Sequence, residues 1–238
     1  VTDQVVHVAG PGEPVNDLTA VLSKIARTLE PEDDVDTTVA HIVAAAAGTV
    51  PGTDEAGVSL LDQGKMRSVA PSSDVVAYLD DWQHRLGEGP CVDAVFERPA
   101  YRVDDISTDP RWPRFGAKAA EAGMLSIIGF RLFTDSTTIG ALNLYARRAN
   151  AFDEDAERIC ELFAAHAAVA LAGSKGIEQL QVALRTRDVI GMAKGILMER
   201  HGVDADRAFE LLVAASQHAN VKLRDVASWL VDGSSRRT

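Results

Sequence analysis

Residues 184–230 read LRTRDVIGMAKGILMERHGVDADRAFELLVAASQHANVKLRDVASWL, three amphipathic stretches separated by two short breaks. In the first, Ile190, Ala193 and Leu197 recur at three and four, with Gly202 after His201 as a stop. In the second, Asp204 stands at the N-cap, Ala208, Leu211, Leu212 and Ala215 form the inward stripe, and Asn220 suits the C-terminal end. In the third, Leu223, Val226, Ala227 and Leu230 repeat the spacing before Gly233. Helices this short do not stand alone in water, so the spacing predicts that the three pack together.

The residues outside these stripes are a mixture of small, basic and amide side chains. Lys194 lies between Ala193 and Gly195, and a glycine inside a helix costs about 1 kcal/mol relative to alanine. Close approach of another backbone is one use for the missing side chain. Ser216 and Asn220, four apart, share a face, with Gln217 beside them and Lys222 and Arg224 just beyond. Hydroxyl, amide and cation together can contact phosphates and base edges. Each residue also has a plainer reading, as solvated lysine, helix terminator or surface hydroxyl. Their grouping favours a binding surface.

With Arg185, Arg187, Ile190, Ala193-Lys194-Gly195, Leu197-Met198-Glu199, Ala208-Phe209, Leu212, Ser216, Asn220, Leu223-Arg224 and Ala227 in this order, the segment resembles the ANTAR domain, a three-helix RNA-binding module of bacterial antitermination regulators. The resemblance implies a homodimer acting on RNA that carries paired small hairpin loops. It also implies RNA contacts from Arg185, Arg187, Lys194, Gly195, Ser216, Asn220 and Arg224, to which the grouping adds Gln217 and Lys222.

The whole chain has 238 residues, 46% apolar and 25% charged, with a formal net charge of −11. The charge is unevenly spread: residues 174–238 hold 10 Lys and Arg against 8 Asp and Glu, net +2, leaving −13 for residues 1–173. A net of +2 is weak for simple counterion release, so specific contacts and the doubling of charge in a dimer have to contribute. No run is long and apolar enough to cross a bilayer, and no basic segment precedes an apolar one at the start, so a cytoplasmic protein without a signal peptide is expected. Cys91 and Cys160 give neither a disulfide framework nor a zinc site.

Residues 1–30 read as a loose arm followed by a helix with Leu18, Val21, Leu22, Ile25, Ala26 and Leu29 on one side, able to pair with its copy or to pack on its own domain. A helix over Val35 to Ala47 follows, then a hairpin of Gly57 to Leu61 with Met66 to Ala70, and a helix from Asp74 to Arg85 with Val75, Leu79 and Trp82 inward. After the turn-rich Leu86-Gly87-Glu88-Gly89-Pro90-Cys91 come a short helix over Val92 to Phe96, a strand over Ala100 to Val103 and a helix over Phe115 to Ala122. A second hairpin joins Met124 to Phe133 with Thr138 to Ala146, and a closing helix covers Asp153 to Ala172. This is the pattern of an α+β domain with an antiparallel sheet.

The stretch Leu86 to Cys91, Asp109-Pro110-Arg111-Trp112 with Phe115, and Ile139-Gly140-Ala141-Leu142-Asn143-Leu144-Tyr145 make residues 31–172 resemble a GAF domain, the small-molecule sensing fold of bacterial signalling proteins. Trp82, Cys91, Trp112 and Phe115 are the candidate ligand-lining residues; core packing and an inert thiol are the competing readings. The effector and any cofactor are left open by the residues, although His84 or His166 could in principle hold haem. Residues 173–183 are expected to form a connecting helix, with a short break at Gly173 to Gly176 that leaves room for a bend, or else continuous with the Asp153 to Ala172 helix, and with a short coiled-coil spacing at Ile177, Leu180 and Leu184; residues 184–232 form the all-α three-helix domain and 233–238 a tail.

The sequence carries no phosphate-cradling Lys-Ser/Thr loop, HExxH or Gly-x-Ser-x-Gly elbow. Its leading reading is therefore a ligand-responsive RNA-binding antiterminator and not an enzyme. The alternatives are a GAF-type thiol redox enzyme acting through Cys91 and a signalling adaptor whose tail binds protein.

Overall fold

Gln63 and Gly64 both have positive φ, 48° and 79°, the left-handed pair that a two-residue hairpin turn requires. They join β1 (Glu55–Asp62) to β2 (Lys65–Val69). The computed structural model describes residues 23, 25–135 and 137–235. It adds β3 (Ala100–Val103), β4 (Ser126–Thr134) and β5 (Thr137–Ala146) to form a five-stranded sheet in the order β2-β1-β5-β4-β3. Every pairing is antiparallel. Gly140 lies where β5 crosses β1: a Cβ there would come within 2.0 Å of the Ser59 carbonyl oxygen, so only glycine fits.

The helices that accompany the sheet include α1 (Val35–Thr49), α2 (Asp74–Leu86), α3 (Pro90–Phe96), α4 (Pro113–Glu121) and α5 (Glu154–His201). Strand alternation assigns the core residues to two faces. Ile128, Phe130, Leu132, Leu142 and Leu144 join α1 and the first part of α5 in one buried cluster. Ile127, Ala141 and Tyr145 join Val76, Leu79, Cys91, Trp112 and Phe115 in another. The acidic runs at helix starts are caps: Asp34 accepts from the Thr37 amide at 2.8 Å, and Asp153 from the Ala156 amide at 2.8 Å. The Thr37 hydrogen bonds also hold the Asp34 carboxyl below its ordinary value.

The chain divides after Lys175 into two compact units. The expected break at Gly173 to Gly176 is not there: α5 is a single helix of 48 residues that passes through it. Two glycines weaken a helix by about 1 kcal/mol each, but the flanking turns are anchored in the core through Ala167, Ala168, Ala170 and Leu171. Gly173 has a packing use as well, since a Cβ on it would lie 2.8 Å from the Pro31 ring. Ile25 and Leu29 are buried in the first unit's own core, so that part of the N-terminal stripe packs on its own domain. Leu18, Val21 and Leu22 lie outside the described residues.

The second unit contains the end of α5, α6 (Ala205–Ala219) and α7 (Leu223–Ser235). Its centre is small: Ala193, Leu212 and Ala227 are fully buried, with Ile190, Leu197, Leu223, Val226 and Leu230 packed around them. Ala215, expected inward, is exposed. The chain is thus an α+β antiparallel-sheet domain followed by an all-α three-helix bundle.

Candidate nucleic-acid interface and sensor core

The second unit is punctuated where the residues demand it. Gly202 closes α5 at φ 62°. Asp204 caps α6 by accepting from the Arg207 amide at 2.8 Å. Asn220 ends α6 in the left-handed conformation, φ 52° and ψ 42°, which asparagine tolerates better than most residues. The Ser216 hydroxyl donates to the Val221 carbonyl at 2.6 Å. Ser216 and Asn220 therefore shape the α6–α7 turn, whatever else they do.

Helical periodicity sorts the remaining candidates. Arg187 and Lys194, seven apart on α5, share a face; Arg185, nine before Lys194, is turned half-way round the helix from it. On α6, Phe209, Ser216 and Asn220 share a face, with Gln217 at its edge. The Lys194 Nζ lies 5.8 Å from the centroid of the Phe209 ring, which joins the two helical faces. Phe209 remains 41% exposed. An aromatic in an amphipathic helix reads first as core, which is why the sequence does not single it out. Gln217, Lys222 and Arg224 are exposed near the α6–α7 turn, and Arg224 Nε donates to Asp225 at 3.3 Å. Gly195 is open to solvent, and a Cβ there would meet nothing within 4 Å.

In the first unit the expected ligand-lining residues do not form one open surface. Cys91, Trp112 and Phe115 are fully buried in the same core cluster. The Trp112 indole donates to Asp93 at 2.7 Å and lies beneath Arg111, 4.3 Å from its ring centroid. Trp82, expected inward, is only half-buried, edge-on to Tyr78 and 5.3 Å from Lys118 Nζ. Val75 is also half-buried. The inward face of α2 is instead Val76, Leu79, Asp80 and Gln83. A Cβ on Gly57 would lie 2.6 Å from Val76, so the glycine lets this face reach the sheet.

Asp80 and Gln83 form a buried polar network that hydrophobic periodicity could not reveal. Asp80 accepts from Ser68 Oγ at 2.6 Å and from the Tyr145 hydroxyl at 2.9 Å. Gln83 donates to the Tyr145 hydroxyl at 3.1 Å and accepts from the Cys91 amide at 2.9 Å. Burial pushes the Asp80 carboxyl up to about 6 and the Cys91 thiol up to about 12. Cys160 is raised as well, by burial in the other core cluster. Both thiols are inaccessible and the two do not share a cluster, which withdraws support from a redox pair. His84 Nε2 lies 3.2 Å from Ser59 Oγ, and burial lowers the pKa of this histidine; His166 Nδ1 meets the Leu162 carbonyl at 2.9 Å. The Leu86–Cys91 motif is architectural: Gly87 ends α2 at φ 59°, and Glu88 caps α4 by accepting from the Arg114 and Phe115 amides at 2.8 and 3.0 Å.

A GAF-domain family model matches residues 32–172, and the chain belongs to that family. An ANTAR-domain model matches residues 178–231. The protein is accordingly a two-domain GAF-ANTAR protein, the architecture of a signal-sensing regulator. No curated protein matches it. Among solved structures, fRMsr of Staphylococcus aureus in its reduced form shares 20% identity at a TM-score of 0.52, over 65% of this chain and 95% of that one. The GAF domain from a phosphoenolpyruvate-protein phosphotransferase of Coxiella burnetii shares 17% at 0.53, over 66% and 94%. A bacteriophytochrome from R. palustris shares 14% at 0.55, over 86% and 47%. These likenesses show the fold alone. Among the described residues no helix is long and apolar enough to cross a membrane, and no group of three His, Cys, Asp or Glu side chains could hold a metal ion.

Proposed function

We propose that the ANTAR unit binds structured RNA hairpins and regulates transcription antitermination in the cytoplasm, under control of a small molecule sensed by the GAF domain. The observation that carries this reading is the composite surface of the second unit. Arg187 and Lys194 lie on one face of α5, Lys194 rests on the exposed Phe209 of α6, and Asn220 is exposed further along the Phe209 face. Cations for phosphates, a ring for an unstacked base and an amide for base edges are the requirements of hairpin-loop recognition. A DNA reading lacks a strongly basic recognition helix.

Paired hairpins call for paired heads, so the chain acts as a homodimer. Ile177, Leu184, Gly191 and Met198 are spaced by sevens along α5, with Leu180 beside them, opposite the side that carries the buried Ala193. Leu180 is 61% exposed and Leu184 52%, an apolar seam open to a second copy. Because α5 begins in the sensor core and ends in the RNA unit, ligand-linked changes in the sensor bias the spacing or pairing of the heads.

The test is binding of the full chain to a two-hairpin RNA at two salt concentrations, beside DNA of the same sequence. RNA-selective binding that weakens with salt and is lost in Lys194→Ala supports the proposal. Equal binding of DNA, or none of either by wild type, rejects it.

A further inference from the structure

Strand alternation puts Asn143 of β5 and Arg131 of β4 on one face of the sheet, the face covered by Cys91 and Trp112. Asn143 is fully buried, and neither the oxygen nor the nitrogen of its amide has a hydrogen-bond partner among the described residues. The Cys91 thiol approaches it, a weak donor and weak acceptor that leaves the amide's capacity unused. Arg131 Nε is also buried without a partner. Its Nη1 is turned to the Val95 carbonyl at 3.5 Å, and the guanidinium enters no ion pair among the described residues. Buried polar groups left in this way are costly, and native cores hold few of them.

The two groups lie beneath opposite ends of α3. Gly129 pairs with Asn143, and a Cβ on it would lie 3.2 Å from the Asn143 amide oxygen and 3.6 Å from the Pro90 carbonyl, at the start of the helix. Val95, which receives Arg131, is at its end. Between the two groups β4 and β5 present only Gly129 and Ala141, and α3 buries Cys91 and Ala94 in the same cluster. This strip is therefore covered by one helix of seven residues, entered through Gly89 at φ 136°. At the far end of α3, Phe96 is 61% exposed, and Phe133, whose ring lies 5.5 Å from the Arg131 guanidinium, is 52% exposed. The strip is reached from that end.

The two groups call for different partners. An amide with both polar atoms unused pairs with another carboxamide, which returns one donor and one acceptor. With Nη1 turned to Val95, the guanidinium offers the edge formed by Nε and Nη2, which suits a carboxylate. Diagonal neighbours on adjacent strands have Cα atoms about 7–8 Å apart, a span matched by a carboxamide and a carboxylate joined through about three methylenes. We infer that the sensor site takes a small linear molecule of this class, its carboxamide on Asn143, its carboxylate on Arg131 and its methylenes over Gly129 and Ala141, with α3 lifted from the sheet to admit it. The inference rests on the reading of the GAF domain as a small-molecule sensor. It keeps the site on the face that holds Cys91, Trp112 and Phe115 but gives recognition to Asn143 and Arg131, neither of which is a candidate from sequence.

Calorimetry on the full chain tests it with three isosteric probes: glutaramate, glutaramide, in which a second amide replaces the carboxylate, and 5-oxohexanoate, in which a methyl replaces the amide nitrogen. Glutaramate is expected to bind with a Kd below about 1 mM and each analogue at least about tenfold more weakly. Arg131→Gln is expected to bring glutaramate down to the level of glutaramide, and Asn143→Leu to bring it down to the level of 5-oxohexanoate. Asn143→Leu should also melt no lower than wild type, because the amide has no partner to lose. Several results overturn the inference: no glutaramate binding at about 10 mM, either analogue binding as tightly, either variant without effect on glutaramate, or a lowered melting temperature in Asn143→Leu, which would show the amide engaged in the fold. RNA binding by the same preparations separates this inference from the reading beneath it. Absent glutaramate binding with RNA binding intact rejects the ligand class and leaves the RNA reading standing, whereas glutaramate that binds without changing RNA affinity supports the ligand class and rejects control of RNA binding by this site.

Discussion

Replacing Asp80 by asparagine removes the one fully buried carboxylate of the sensor network while preserving its shape. In the wild type both oxygens are engaged, by Ser68 and Tyr145, yet burial still raises the carboxyl from 3.8 to about 6. The folded-state value lies above the unfolded one, so this group's stabilising contribution is full below about pH 3.8 and is lost as the pH rises through about 6. Roughly two pKa units at 1.36 kcal/mol each give a loss of about 3 kcal/mol by neutral pH, about 2 kcal/mol of it between pH 4.5 and 7.5. In D80N the amide oxygen accepts from Tyr145 and the amide NH2 donates to Ser68, so the network persists without the buried charge. Urea unfolding followed by tryptophan fluorescence, at a series of pH values, reads the difference between the two proteins and cancels the other carboxylates. The stability of wild type relative to D80N should fall by about 2 kcal/mol across that window. Parallel profiles would refute the reasoning.

Three further outcomes follow from the geometry. Asn220→Gly keeps the left-handed α6 terminus and should leave the head folded while weakening RNA binding, whereas Asn220→Ala should also cost about 1 kcal/mol in stability, readable by thermal unfolding. Both cysteines should be silent to a thiol reagent in the native chain at pH 8, at least about a thousandfold slower than a free thiol, and both should react after denaturation. One fast-reacting native thiol would restore the redox reading. Gly140→Ala should prevent the sensor domain from folding, because its Cβ meets backbone of β1 that cannot move aside, and circular dichroism would report this.

The sequence was most readable where apolar spacing and caps agree. The three helices of the second unit, the Gln63-Gly64 hairpin and the terminators Gly202 and Asn220 all lie where their residues demand. It was least readable where polar residues are buried or apolar ones exposed. Asp80 faces inward where Gly57 leaves room and Gln83 where Gly89 does, and Tyr145 pairs with both, a partnership 62 to 65 residues away that no local pattern contains. Gly173 and Gly176 read as a break, yet α5 runs through them, held by core contacts from the preceding turns. Among the candidate site residues, Lys194 and Asn220 stand out in the sequence by their grouping and by the pattern of the resemblance. Phe209, which completes their surface, was hidden by its resemblance to a core position.

The central claim is that the second unit reads RNA hairpins, and selection from a random-sequence RNA pool by the full chain tests it with no target chosen in advance. The account predicts enrichment of paired small hairpin loops by wild type and no enrichment by Lys194→Ala at equal folding. Failure of the wild type to enrich any structured RNA, or equal enrichment by Lys194→Ala, would contradict it.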